Sequence, residues 1–435
     1  MFHQLCLCLT FCTLAAAVPR NIYIAGQHFI DAHTNSTIVL GGPNVVVKGP
    51  PYLPSVSGTT ICNDVVDSFC SGHHNCTTCS TFNQADVDHI QAKGWNFIRL
   101  GIVWAGAQLT DSNQLDPQFV ERLHAVLNLT DKNGLHVMLD NHGDMTGTLG
   151  CGNGVPAWFQ KKAPGMEALI GQPLATGFPY SLVKALDIKN VGGYNHCGSN
   201  ATLWAKYAGD PNYNMLNECC VAINGGNPGA TGWTTIAQKT MDYMIDPGPG
   251  RDDFVRYWKL IAQEVVQHPS ASFFELDNEP MSIHRQKYFD TWKAAADAIH
   301  TIIPDASVSI CDIGEASLLP SWWKGLDDFV ISKDTLAWIT SGTANVFYAW
   351  HYGDVPTNIQ NMQAIAQKWN IPTFGTETSC SQFEAAKLAN ISHSYWHYSA
   401  YCNFPNRGEF ATDGIDNAFG ACILGWAGGS SSKCL

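Results

Sequence analysis

The chain has 435 residues, 45 % of them hydrophobic and 14 % charged, and its 37 acidic against 24 basic residues give a formal net charge of −13. This acidic balance argues against a nucleic-acid-binding protein, and the apolar content argues against a disordered acidic chain. Its 14 Trp, 39 Gly and 21 Pro residues fit a large core beneath many structured loops. Apart from a short one at the N-terminus, no apolar run approaches the roughly 20 residues that span a membrane.

The N-terminus has the pattern of a secretory signal peptide. An apolar stretch at residues 5–14 is followed by Ala15-Ala16-Ala17, which together form a hydrophobic segment and a small-residue cleavage site. We expect residues 1–17 to be removed and the protein to be secreted. A buried N-terminal strand is the alternative, and no Lys or Arg precedes the apolar stretch.

The cysteines fit an oxidising compartment. Removing the three within residues 1–17 from the total of 16 leaves 13, so at least one thiol is free or paired outside the chain. A cluster near the N-terminus would suggest zinc in a cytosolic protein, but in a secreted one we interpret its cysteines as disulfide partners. That cluster consists of Cys62, Cys70, Cys76 and Cys79, with His73 and His74. Five N-glycosylation sequons fit the same route, at Asn35, Asn75, Asn128, Asn200 and Asn390.

Eight short β-rich runs alternate with segments that have helical periodicity. Residues 119–127 carry apolar side chains at helical spacing and are followed by Gly134, and residues 254–266 end before Pro269. A repeated strand–helix unit predicts a parallel sheet with helices outside, and eight units close a barrel. We therefore expect an α/β fold, a single (β/α)8 TIM barrel over residues 18–435. The eight predicted strands are residues 44–48, 97–102, 136–142, 273–279, 307–313, 346–352, 371–377 and 395–401.

One interval, residues 143–250, breaks this rhythm after the third strand. It is rich in Gly, Pro, Asn and Cys, and such a long irregular stretch inside a compact domain is usually a functional loop. Because it leaves the third strand at its C-terminal end, we expect it over or beside that face of the barrel. Its aromatic residues either reach that face or form a small core of their own. They are Trp158, Tyr180, Tyr194, Trp204, Tyr207, Tyr213 and Trp233, with Cys151, Cys197, Cys219 and Cys220 available to pin them.

In a barrel of this kind the chemistry lies where the strands end at the C-terminal face. The predicted strand ends carry an acid-rich and aromatic set: Arg99, Asp140, Asn141, His142, Asn278, Glu279, His351, Tyr352, Glu377 and Trp396. Glu279 and Glu377 end the fourth and seventh strands, on opposite sides of the ring. Paired carboxyls, one to protonate the leaving oxygen and one to attack or to activate water, are what glycoside cleavage needs.

Each of these residues also has a simpler interpretation. A single Glu at a barrel rim is often only solvated, and His142 alone fits a structural histidine. Asp140-x-His142-x-Asp144 is a candidate metal-ligand set. Because no second cluster with ligand spacing occurs on another strand, we expect neither a metal nor another cofactor.

These motifs resemble glycoside hydrolase family 5, the cellulase-like group of retaining (β/α)8 enzymes. The segments that carry the resemblance are Gly41-Gly42-Pro43-Asn44, Asn96-Phe97-Ile98-Arg99-Leu100, Leu139-Asp140-Asn141-His142, Asn278-Glu279-Pro280, Gly375-Thr376-Glu377 and Tyr395-Trp396. The resemblance implies that Glu279 is the acid/base and Glu377 the nucleophile.

The resemblance also implies roles for residues around the pair. Arg99 would hydrogen-bond the nucleophile and Asn278 would contact the sugar 2-hydroxyl. His142 would line the sugar subsite, and Trp396 would stack beneath the ring being cleaved. The family usually has His-x-Tyr in the sixth strand, whereas His351 and Tyr352 are adjacent here, which leaves open which of them faces the nucleophile.

Within the family, Asp140-x-His142-x-Asp144 followed by residues 152–158 resembles the endoglycoceramidase and glucosylceramidase branch. That branch typically adds a β-sandwich after the barrel, and we expect the about 34 residues beyond Tyr401 to give room for a last loop and helix but not for a sandwich domain. We therefore expect a monomeric hydrolase of β-glucans or oligosaccharides, with glycolipids as the alternative substrate. We also expect the insertion to favour short glucosides or glycolipid head groups over long polymer. An inactive secreted carbohydrate-binding protein would share the fold, but both glutamates and their neighbours are present.

Overall fold

The computed structural model describes residues 18–47, 52–57, 82–143, 147, 149, 154–170, 235–280, 282, 284–311, 332–351, 355–378 and 385–396. The predicted leader, the cysteines at positions 62–79 and the sequons at Asn75 and Asn200 lie outside these residues. No helix within the described ranges is long and apolar enough to cross a membrane.

The strands of the described residues form two sheets. The first three make a small antiparallel sheet, and the other eight are parallel and close into a barrel in chain order, with the last strand beside the first. They are β1 (Ile22–Ala25), β2 (His28–Asp31), β3 (Ser36–Thr37), β4 (Gly41–Val45), β5 (Phe97–Gly101), β6 (His136–Asp140), β7 (Ala271–Glu275), β8 (Ser307–Cys311), β9 (Val346–His351), β10 (Thr373–Thr378) and β11 (Ser392–Tyr395). Each barrel strand overlaps a predicted one, so the (β/α)8 barrel is confirmed.

Helices follow the barrel strands on the outside. They are α1 (Gln84–Ala92), α2 (Trp104–Ala107), α3 (Pro117–Asn133), α4 (Ala157–Lys162), α5 (Thr235–Ile245), α6 (Pro249–Val265), α7 (Arg285–His300), α8 (Lys333–Ile339) and α9 (Val355–Trp369). Helix α3 contains the predicted segment 119–127. The side chain of Asp116 caps its first turn, and Gly134 ends it in the left-handed region at φ 66°.

The small N-terminal sheet, which the strand pattern did not predict, closes one end of the barrel. Phe29 on β2 is buried, and its ring lies 5.3 Å from Phe273, 5.8 Å from Phe347 and 6.0 Å from Phe374. These three rings belong to the early parts of β7, β9 and β10. Aromatic side chains therefore fill the N-terminal end of the barrel, and the C-terminal end carries the polar residues.

The described parts of the insertion pack on the outside of the barrel. Leu149, Ala163, Met166 and Ile236 form a small cluster of their own. Of the seven aromatic residues named above for the insertion, only Trp158 lies within the described residues, so whether the others reach the cleft or form a core of their own stays open. Its indole donates to the carbonyl of Gln108 at 2.8 Å. The predicted extent of the domain, residues 18–435, stays a prediction.

Candidate active site

Arg99 is fully buried in the middle of β5 and contacts the predicted site residues Glu377 and Asn278. Its Nη1 donates to Oε1 of Glu377 at 2.7 Å, and its Nη2 donates to Oδ1 of Asn278 at 2.7 Å. The guanidinium thus joins β5 to β10 and to the segment after β7.

Three further groups complete the surroundings of Arg99. Its Nη1 also donates to Oδ1 of Asn44 at 2.8 Å, and its Nε donates to Oε2 of Glu275 at 2.5 Å. Its Nη2 lies 3.2 Å from Oδ2 of Asp140. The guanidinium therefore makes four hydrogen bonds and a further ion pair with Asp140. Sequence reasoning missed Asn44 and Glu275, although a charged residue within the apolar run Phe273-Phe274-Glu275-Leu276 is a usable signal.

The local fold explains how Asn44 reaches the site. Its strand β4 approaches β5 so closely that a Cβ on Gly42 would lie 1.7 Å from the carbonyl oxygen of Phe97, so glycine is required there. In this register Asn44 is opposite Arg99.

Glu377 sits at an irregularity in β10. Gly375 pairs with Trp350 and Glu377 pairs with His351, so Thr376 is an extra residue in the ladder. A bulge of this kind redirects the following side chain. The amide of Asn44 holds the Thr376 carbonyl at 3.0 Å. The bulge thereby sets Glu377 beside His351.

Glu279 lies on the turn after β7, which ends at Glu275, four residues before the predicted strand end. Its backbone is in the left-handed region at φ 46°, which for a residue other than glycine costs on the order of 1–3 kcal/mol. The backbone N–H of the preceding Asn278 donates to the carbonyl of Asn141 at 3.0 Å and helps to hold this turn. The Glu279 side chain keeps 27 % of its surface exposed, against 6 % for Glu377.

His351 lies between the two glutamates. Its Nδ1 is 3.3 Å from Oε1 of Glu279 and 3.5 Å from Oε2 of Glu377. The three ligand-type atoms of this trio all lie within 4.8 Å of one another. His351 therefore faces Glu377, the residue predicted to be the nucleophile. Tyr352 lies outside the described residues. The same trio is close enough to share a divalent cation.

His142 and Trp396 form a stacked pair beside this trio, with ring centroids 5.1 Å apart and planes 10° from parallel. The Nδ1 of His142 is 2.7 Å from Oδ2 of Asp140. Asp140, the first residue of the alternative metal set, is thus already engaged by Arg99 and His142. Asp144, the last member of that set, lies outside the described residues.

Burial and charge oppose each other at these groups. Burial disfavours the charged form of Arg99, but Asp140, Glu275 and Glu377 outweigh it and raise the pKa of the guanidinium. Burial raises the pKa of Glu377, and the positive groups His351, Arg99 and His142 offset only part of that effect. Burial also raises the pKa of Glu275. The site therefore holds several carboxyls around one permanent cation.

The chain is similar in sequence to a known family and to curated proteins. The family model described as Cellulase (glycosyl hydrolase family 5) matches residues 65–190. Endoglycoceramidase I of Rhodococcus hoagii (strain 103S) is 30 % identical over 139 residues, which are 32 % of this chain and 23 % of that protein. Endoglycoceramidase of Hydra vulgaris is 24 % identical over 241 residues, which are 55 % of this chain and 36 % of that protein. The matches thus span well under half the length of these curated relatives.

The fold has a counterpart of known structure. A crystal structure of endogalactoceramidase superposes with a TM-score of 0.55 at 15 % identity, covering 87 % of this chain and 75 % of that one. At this identity the likeness concerns the fold alone. Together with the barrel, these matches bear out the resemblance predicted from the motifs: the chain is similar to the family 5 glycosyl hydrolase model over residues 65–190 and to endoglycoceramidases over part of their length.

Proposed function

We propose that this protein is a retaining glycoside hydrolase in which Glu377 is the nucleophile and Glu279 the acid/base. One observation carries the proposal: an oxygen of each carboxyl lies within 4.8 Å of the other. Retaining glycosidases separate their carboxyls by roughly 5 to 5.5 Å, whereas inverting ones need roughly 6.5 to 9.5 Å to admit a water. The spacing therefore supports double displacement.

The environments of the two carboxyls suit different tasks. Glu377 is buried and hydrogen-bonded to Arg99, which aims one oxygen and leaves the other for attack on the anomeric carbon. Glu279 is partly exposed and gives its proton to the departing glycosidic oxygen as the C–O bond breaks. A glycosyl ester then forms on Glu377. Water that has lost a proton to Glu279 hydrolyses this ester, and the anomeric configuration is retained.

The neighbours of the pair orient it and the sugar. His351 touches both carboxyls and holds them in one geometry. Asn278, fixed by Arg99, is the group we assign to the sugar 2-hydroxyl. His142 and Trp396 form one wall of the subsite.

The substrate class divides into two candidates. The motifs support β-glucans or oligosaccharides, and the endoglycoceramidases among the relatives favour a second candidate, a glycolipid with a β-linked sugar head group. A panel of soluble β-glucan, cello-oligosaccharides, aryl β-glycosides and a glycosphingolipid separates them. Release of an intact oligosaccharide together with ceramide identifies the second candidate, and reducing ends from glucan identify the first.

Two measurements test the mechanism. Proton NMR of the early product should show the retained anomer. A 2-deoxy-2-fluoro glycoside with a good leaving group should trap an ester on Glu377, located by peptide mass spectrometry. Glu377→Gln should take up no label, and Glu121→Gln, a change at an exposed glutamate on α3, should be labelled like the wild type. First formation of the inverted anomer would overturn the proposal.

Secretion forms part of the proposal and is supported by the apolar leader at residues 5–14. N-terminal sequencing of protein recovered from the medium should begin at Val18. Recovery of the full-length chain only from the cell interior would contradict it.

A further inference from the structure

A third glutamate lies beneath the proposed catalytic pair. Glu275, the last residue of β7, is 1 % exposed. One of its oxygens accepts from Nε of Arg99 at 2.5 Å, and the other lies 4.0 Å from Nε2 of His351. It therefore touches the two residues that hold Glu377, but it has no part in the bond-breaking steps above.

The charges around Arg99 do not balance. Its single positive charge faces Glu377 at 2.7 Å, Glu275 at 2.5 Å and Asp140 at 3.2 Å. Asp140 has a second partner in His142. Glu275 and Glu377 are both buried and are left to share the guanidinium, so ionisation of one opposes ionisation of the other.

The surroundings of both carboxyls agree with this competition. Burial raises the pKa of Glu275 and of Glu377. The charged or titratable groups that face Glu275 are Arg99, Asp140 and His351. Those that face Glu377 are His351, Arg99, His142 and Glu279. Arg99 and His351 are common to both sets, so both carboxyls interact with the same two residues.

We propose that Glu275 is a positioning residue that competes with Glu377 for the charge of Arg99 and so sets the pH above which Glu377 can attack. This inference rests on the proposed glycosidase function. When Glu275 is neutral, the positive charge of Arg99 stabilises the ionised form of Glu377, the proposed nucleophile. When Glu275 ionises first, Glu377 holds its proton to a higher pH.

The variant Glu275→Gln tests the competition. A glutamine oxygen can still accept from Nε of Arg99, so we expect the barrel to form. Because the competing charge is gone, the acidic limb of the pH profile of kcat/KM should shift to lower pH by about one unit. A purely structural role would lower kcat/KM by the same factor at every pH and leave the limb in place. The latter result would overturn the proposal.

Asp253→Asn is the matched control. Asp253 is also buried, at 4 % exposed, and it pairs with Lys162 at 2.9 Å and Arg256 at 2.8 Å on the outside of the barrel. This variant removes a buried carboxylate without touching Arg99. It should lower stability and leave the acidic limb unmoved.

A second measurement needs no activity and no Glu275 variant. With ¹³C-labelled glutamate side chains, the carboxyl titration of Glu275 should move to lower pH in Glu377→Gln, because the coupling is mutual. An unmoved Glu275 titration would overturn the proposal. If the wild type cleaved none of the panel substrates while this titration moved, the glycosidase function would fail and the coupling would stand.

Discussion

The indole of Trp396 stacks on the imidazole of His142, with planes 10° from parallel. Trp396 is only 4 % exposed, and its backbone N–H donates to the carbonyl of Thr378 at 3.1 Å. Besides any contact with sugar, Trp396 therefore fixes the orientation of His142, which in turn contacts the Arg99 partner Asp140.

Trp396→Ala should remove this support. We expect a loss of about 3–5 kcal/mol in the free energy of unfolding, as for other large-to-small changes at buried aromatic residues. Activity should fall even where the variant is folded, because His142 can then rotate. Trp396→Phe keeps a stacking ring and should retain most of the activity. Denaturant unfolding together with kcat/KM checks both variants, and equal activity of Ala and Phe variants would contradict the prediction.

Glu279→Ala should be rescued by azide. The variant retains the nucleophile, so aryl substrates that need little acid assistance still form the glycosyl ester. Azide then attacks the ester and gives a glycosyl azide of retained configuration. NMR of the product identifies it. An inverted azide from this variant and a retained one from Glu377→Ala would mean that the two roles are exchanged.

Glu377→Gln should stabilise the protein at neutral pH by about 0.5–2 kcal/mol, as is common when a site strained for function is relieved. Burial raises the pKa of Glu377 in the folded state, so ionising it costs stability as pH rises through that pKa. Below the pKa of the unfolded chain both forms are protonated and the advantage disappears. Thermal unfolding at neutral and at acidic pH tests this sign, and an advantage that grew in acid would contradict it.

Activity should fall on the acidic side at a pH above the ordinary glutamate range of about 4.3. Glu377 must be ionised to attack, and burial raises its pKa despite the nearby His351 and Arg99. The profile of kcat/KM on an aryl glycoside reports this ionisation in the free enzyme. A rate that stays constant down to the usual carboxyl range would contradict the expectation.

Phe29→Ala should destabilise the barrel without altering its chemistry. The ring fills the N-terminal end among Phe273, Phe347 and Phe374, so its loss leaves a cavity that costs about 3–5 kcal/mol. Because Phe29 lies at the opposite end of the barrel from the proposed catalytic residues, its replacement should leave kcat/KM of the folded protein unchanged. Phe29→Leu is the milder control. A selective loss of activity at full stability would contradict this assignment.

The barrel could be predicted because five consecutive strands, β5 to β9, are short and largely apolar runs followed by helical segments, a pattern contained in consecutive residues. Glu279 and Glu377 could be singled out as candidates because each ends a predicted strand, 273–279 and 371–377, and their roles stay predictions. The small sheet around Phe29 could not, since its strands have four residues or fewer and gain their stability from the barrel they close.

The surroundings of Arg99 were beyond prediction for a different reason. Its acceptors Asn44 and Glu275 are 55 and 176 residues away in sequence, and only the pairing of β4, β5, β6 and β7 side by side brings them together. The bulge at Thr376 likewise depends on the neighbouring strand. The role of Tyr352 and the course of most of the insertion stay predictions.

Asn44 also joins the two ends of the ring. Asn44 lies on β4, the first barrel strand, and its amide donates to Oγ of Ser394 and to the carbonyl of Tyr395 on β11, the last strand, each at 3.1 Å. Its side-chain oxygen accepts a hydrogen bond from Arg99. The seam of the barrel and the anchor of the proposed nucleophile thus share one side chain. Until the last strand pairs with the first, Asn44 lacks these two acceptors, so closing the ring also completes the hydrogen bonds of the residue that orients Arg99.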